Sequence, residues 1–113
     1  MSEGIYAMYF TGNAGSGHGL LMLKSGVIAG ADAAGGIYDG SYNPGAPGTL
    51  NVHVRLTVPP GFALVTGASA GQKPMVFEIP AQLPENFANG QPIALDTPTG
   101  PINIIFKKLR DLP

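Results

Sequence analysis

The sequence predicts an all-β fold, an eight-stranded antiparallel barrel or sandwich, and three observations carry the prediction. Eight short stretches rich in β-branched, aromatic and aliphatic residues run through the 113-residue chain. Gly, Pro or Asn punctuates almost every junction between them. No segment of helical length interrupts the series, which leaves room for at most one or two short helical turns.

Taken in order, the first strand spans residues 4–11, holds the apolar run Ile5-Tyr6-Ala7-Met8-Tyr9-Phe10, and ends at Gly12-Asn13-Ala14-Gly15-Ser16-Gly17. The second (19–24) and third (27–31) are joined by Ser25-Gly26, which has the length and the Gly of a tight two-residue hairpin. Asp32-Ala33-Ala34-Gly35-Gly36 leads into the fourth strand (37–42), and Pro44, Gly45, Ala46, Pro47 and Gly48 lead into the fifth (49–58). The sixth (75–81), seventh (92–96) and eighth (102–109) follow, the last two separated by Thr97-Pro98-Thr99-Gly100-Pro101. Gly supplies positive φ in such turns, and Pro presets φ while withholding a ladder donor. Residues 59–73 read as a buried loop, a short helix or an extra edge strand, and residues 84–90 have room for one helical turn ended by Gly90.

The fourth and fifth strands allow a register to be stated. With Asn43 and Thr49 closing the loop, Tyr42 faces Leu50, Gly40 faces Val52 and Tyr38 faces Val54 on an apolar face. Ser41 then faces Asn51, Asp39 faces His53 and Ile37 faces Arg55 on a mostly polar one. A slip of one residue would exchange the two faces, so Tyr38, Tyr42, Leu50, Val52 and Val54 are expected to point inward. Together with Phe77 and the Leu20 to Leu23 run they form the candidate core or ligand lining.

The first and last strands are apolar on both faces, and in a closed meander they would be neighbours. Either residues 82–90 cover the outward side, or Tyr6, Met8, Phe10, Asn103 and Ile105 form a homodimer interface.

At this length residues 1–113 make one domain with its own core. Only 12% of residues are charged and the formal net charge is −1, so the surface draws little solubility from charge and burial in an oligomer is expected. Six basic residues, three of them in Lys107-Lys108-Leu109-Arg110, make no basic stripe, and a nucleic-acid partner is not expected. The absence of cysteine fits a reducing compartment. Met1-Ser2-Glu3-Gly4 carries an acid where a signal peptide needs a basic region, and no apolar run approaches the roughly 20 residues of a helical membrane span. A cytoplasmic location without membrane attachment is therefore expected.

Two glycine motifs imitate nucleotide sites. Phe62-Ala63-Leu64-Val65-Thr66-Gly67-Ala68-Ser69-Ala70-Gly71 looks like the opening of a short-chain dehydrogenase, but Lys73 stands where the third Gly must allow helix packing, and Pro74 follows. Gly12-Asn13-Ala14-Gly15-Ser16-Gly17-His18-Gly19 has phosphate-loop spacing without the required Lys and Ser or Thr. Both read as loops. His18 and His53 are too few and too separated for a metal set. Asp39 beside His53, with Ser41 on the same face, reads as acid–base chemistry or as an outward polar pair, and the second reading is the simpler. No catalytic, cofactor or metal residues are assigned, and no enzymatic activity is expected.

Gly4-Ile5-Tyr6 with its apolar strand, Gly19 to Gly26, Gly30-Ala31-Asp32 and Tyr38-Asp39-Gly40-Ser41-Tyr42 resemble the GrlR-like family, small negative regulators associated with type III secretion. The resemblance is closest over residues 4–56. It implies a lipocalin-like, eight-stranded barrel that dimerises and controls transcription by holding an activator protein, without touching DNA. The family's acidic stretch between the fourth and fifth strands is replaced here by Pro44 to Gly48, the candidate partner loop, so the partner surface is expected to differ. Two functions follow: a non-enzymatic protein-interaction module, or a carrier for one small apolar ligand, since an eight-stranded barrel is just wide enough to hold one.

Overall fold

The computed structural model describes residues 3–113; Met1 and Ser2, on which the reading of the N-terminus partly rests, lie outside them. The described residues form eight strands and no helix: β1 (Gly4–Gly12), β2 (Gly15–Lys24), β3 (Val27–Asp32), β4 (Ile37–Pro44), β5 (Thr49–Val58), β6 (Met75–Pro84), β7 (Ile93–Thr97) and β8 (Gly100–Asp111). Every pairing is antiparallel, in the order β6-β5-β4-β3-β2-β1-β8-β7. The sheet rolls into a nearly closed, lipocalin-like barrel. One apolar cluster joins Tyr6 and Met8 of β1 to Leu50 and Leu83 of β5 and β6 and to Phe106 of β8, which a flat sheet would hold far apart.

Closure stops at β6 and β7, the two ends of the strand order. Pro80, in the middle of β6, has no N–H to donate across that seam, and proline is tolerated in a strand where one side is unpaired. Strand β5 also approaches β4 closely at Gly40, where a Cβ would collide with the backbone oxygen of His53, so only glycine fits there. At the β2–β3 turn both Ser25 (φ 51°) and Gly26 (φ 82°) take positive φ, the two-residue geometry that matches strand twist.

The β4–β5 register differs from the expected one by two residues. Tyr42 faces Val52, Gly40 faces Val54, Tyr38 faces Leu56, Ser41 faces His53 and Asp39 faces Arg55. The strands stay paired out to Pro44 and Leu50, and Gly45 N–H donates to the Thr49 carbonyl at 3.1 Å, so the turn closes two residues later than composition suggests. A slip of two preserves parity, and the inward set survives: Tyr38, Tyr42, Leu50, Val52 and Val54 all pack toward the interior.

The interface expected across the first and last strands is corrected by the same parity. Tyr6 (2% exposed) and Met8 (1%) are core residues, and Phe10 packs against them, because β1 turns its even positions inward. Asn103 and Ile105 lie on the opposite, outer face of β8 beside Tyr9. Nor do residues 82–90 cover the outside. Strand β6 runs on to Pro84, and the turn after it drives Phe87 into the barrel, where it stacks on Tyr6 at 5.0 Å and meets Phe106 edge-on at 5.2 Å.

Candidate functional site

The two ends of the barrel are built differently. At the closed end Phe87, Phe106, Tyr6, Leu23, Ile28, Leu50 and Leu83 pack into a floor. There Lys108 sits 5.7 Å from the Tyr6 ring and pairs with Asp111, which raises the lysine pKa and lowers that of the acid; burial raises that of Tyr6. At the other end residues 59–74 fold across the opening. A second cluster, Leu56, Val58 and Ala70 with Leu64 and Met75 against it, holds this lid to the ends of β5 and β6.

Between floor and lid lies a cavity of about 400 Å³. Its wall is made by Met8, Phe10, Leu21, Val52, Val54, Phe77, Ile79, Ala81, Leu95 and Ile104, and its roof by Ala63 to Thr66. Inward positions of β5 and β6 such as Val52, Val54, Phe77 and Ile79 are only half-buried, because they border this space rather than a packed neighbour. The lining reaches exposed Ser16, Ala33, Ala34 and Pro98, so the lumen meets solvent beside the lid.

The lid is a small hairpin of its own. Leu64 N–H donates to Ala68 O at 2.7 Å, Ala70 N–H to Phe62 O at 2.8 Å, and Ala63 pairs with Ser69. It is therefore a loop, neither a helix nor an edge strand of the barrel, but a largely exposed one rather than the buried loop the sequence suggested, with only Ala70 buried; the dehydrogenase-like glycines lie within it with no helix after them. Two latches dock it: Ala14 N–H donates to Val65 O at 2.7 Å, and Thr66 and Thr99 share a hydroxyl hydrogen bond at 2.9 Å. The phosphate-loop imitation shrinks to the two-residue turn Asn13-Ala14 between β1 and β2.

Polar groups collect at the mouth. Asp32 Oδ1 accepts from the N–H groups of Ala34 (3.0 Å) and Gly36 (2.8 Å), while Oδ2 accepts the Tyr38 hydroxyl at 2.7 Å. Burial, then the hydrogen bond to Asp32 and that residue's negative charge, push the Tyr38 phenol well above its ordinary pKa, so it stays neutral. On the facing hairpin Thr97 Oγ1 donates to Gly100 O at 2.6 Å and accepts from Thr99 N–H at 3.4 Å.

Of the residues expected to line an interior, Tyr38, Val52, Val54 and Phe77 do so, with Leu21 and Leu23. Leu50 and Tyr42 belong to the closed-end core, and Leu20 and Met22 point outward. Met8 and Phe10, expected at an interface, are lumen walls. Asp39 and His53 are not opposite one another. His53 Nε2 lies 2.9 Å from Glu78 Oε1, and Arg55 Nε donates to Glu78 Oε2 at 2.7 Å, which holds the Glu78 pKa low on the outer wall. The loop Pro44 to Gly48 sits at the closed end, tied by Gly48 O to Glu85 N–H at 2.9 Å. Among the described residues no cluster of three or more His, Cys, Asp or Glu could hold a metal ion, and no helix is long and apolar enough to cross a membrane. Compared with known proteins, the chain matches no family model and no curated protein.

Proposed function

We propose that this protein binds one small, predominantly apolar molecule inside the barrel, without chemistry upon it. The observation that carries the reading is the lumen of about 400 Å³, walled by aliphatic and aromatic side chains and open beside a docked loop. Pockets that hold small ligands are of this size and character. At roughly 30 Å³ per methylene-sized group the space takes about a dozen saturated carbons, or more of the leaner, flat carbons of an aromatic ring system. Ten buried methylenes, at about 0.8 kcal/mol each, cap the gain near 8 kcal/mol, so a ten-carbon chain is expected to bind no more tightly than about 1 μM. Fluorescence titration with the neutral apolar dye N-phenyl-1-naphthylamine tests the reading. Saturable binding at one dye per chain is expected, and absence of enhancement would remove it.

A second reading has an observation of its own. On the outer face Leu20, Ala31 and Ile37 follow one another across β2, β3 and β4, and Val76 lies beyond Thr57 of β5, with Leu20 51%, Ile37 53% and Val76 55% exposed. Such a band suits contact with protein, either a second copy or a partner held in the manner of the GrlR-like regulators that residues 4–56 resemble, in the cytoplasm that a cysteine-free chain fits. Light scattering showing a monomer at micromolar concentration would remove the homodimer.

A further inference from the structure

The mouth of the lumen has a hydrogen-bonding sense that the apolar wall does not. Resting on the binding role proposed above, we infer that the lumen takes an uncharged alcohol, its hydroxyl donating to the Thr66, Thr97 and Thr99 cluster, and rejects the carboxylate of the same chain length.

The three hydroxyls line the lumen together and touch one another: Thr66 with Thr99 at 2.9 Å and Thr97 with Thr99 at 3.4 Å. Between them they bring three protons and six lone pairs. One proton leaves the cluster, from Thr97 to Gly100 O, and one is spent between Thr66 and Thr99. The third sits on whichever of Thr66 and Thr99 is not the donor of that pair, and Thr99 has Thr97 Oγ1 within reach. The cluster can therefore accept from a guest and return at most one proton. An alcohol O–H both donates and accepts, which suits that mixture. A carboxylate brings no donor and leaves the remaining lone pairs facing its own.

Charge points the same way. Among the described residues no Lys or Arg lines the lumen, and the ionisable ones that do are His18, Asp32 and Tyr38. The carboxylate of Asp32 already serves three internal donors, and it adds negative charge at this end. Lys73, in the segment that leads from the lid to β6, is exposed and is not part of the lining. The other cations lie elsewhere: Arg55 on Glu78, Lys24 on Pro113 O, and Lys107, Lys108 and Arg110 on β8 toward the closed end. An anionic head carried into the mouth would thus lose its water without gaining a counter-charge. An ammonium head would also be stripped of water, and the carboxylate it would need is engaged.

Displacement of N-phenyl-1-naphthylamine by 1-decanol, decanoate and decane at pH 7.5 separates the possibilities. Decanol is expected to compete at least tenfold better than decanoate and measurably better than decane. Thr99→Val is expected to bring decanol down to the level of decane, and Thr99→Ser to restore it. Decanoate equal to or better than decanol overturns the inference while leaving the lumen as a binding site, as does Thr99→Val that folds and binds decanol unchanged. Dye that does not bind at all overturns the lumen reading itself.

Discussion

At the scale of single residues, Tyr38 shows how much one inward position can carry. Its ring lies in the wall of the lumen and its hydroxyl donates to Asp32, whose other oxygen fixes the turn through Ala34 and Gly36. Tyr38→Phe removes that one hydrogen bond and is expected to cost about 1 kcal/mol at neutral pH. A second effect has a definite sign. The folded-state pKa of Tyr38 is raised, so its share of stability is intact below the unfolded phenol value near 10 and is lost as pH rises above it. Urea unfolding between pH 8 and 11 is therefore expected to show falling stability, with a shallower fall in Tyr38→Phe. The remaining slope belongs in part to Tyr6, whose pKa burial also raises. An unchanged slope would mean that Asp32 and burial do not hold this phenol neutral. Tyr38 was legible as an inward side chain from alternation alone. Its bond to Asp32 was not, because Asp32 sits in a glycine-rich turn whose conformation decides where the carboxylate points.

At the scale of elements, what the sequence conveyed was parity, and what it hid was extent. Strands were readable where apolar residues alternate, but β2 begins four residues earlier than expected, at Gly15, and β4 and β6 run on into prolines. Pro44 lies beyond the last β3 partner of β4, Ser41, so its missing N–H breaks no ladder on that side. Pro80, to which the sequence reading gave no weight, marks the β6 edge that stays unpaired. The lid was hidden more deeply, since its small residues make few demands of their own and its shape is set by where it docks. That docking can be loosened at one atom. A Cβ on Gly12 would lie 2.5 Å from Val65 O, the acceptor of the Ala14 latch. Gly12→Ala is expected to displace the lid there and leave the barrel intact: unchanged far-UV circular dichroism, with dye association and release both several-fold faster in stopped flow. Unaltered exchange rates would mean that ligand passes elsewhere, for example through the seam between β6 and β7.

At the scale of the whole molecule, the barrel is a compromise between a packed core and a hollow one. Its closed end is filled by aromatic rings, whereas the middle is left open, and neither was visible beforehand: Tyr6 was expected at an interface and residues 82–90 on the outside, yet Tyr6 and Phe87 meet in the core. The hydrophobic pattern of Val52, Val54, Phe77 and Ile79 is the same whether such side chains touch one another or border a void, so strand count and composition cannot separate the two. Protein interiors ordinarily close to crystal-like density, and a space of about 400 Å³ forgoes the contacts that filling it would supply. A substitution that fills it should therefore move stability and binding in opposite directions. Val54 is suited to this: it points into the lumen between Gly40 and Ile79, with no side chain on the Gly40 side. Val54→Phe is expected to stabilise the ligand-free protein by about 1 kcal/mol, the usual yield of cavity filling, raising Tm by about 4 °C for a chain of this size. Dye affinity is expected to fall at least tenfold in the same variant, because the ring occupies the ligand's space. Melting curves with and without dye give both numbers from one sample, since a ligand that binds the folded state raises Tm and the variant should lose that rise. If Val54→Phe were destabilised and still bound dye like the parent, the middle of the barrel would have to be packed, and the ligand's place would lie outside it.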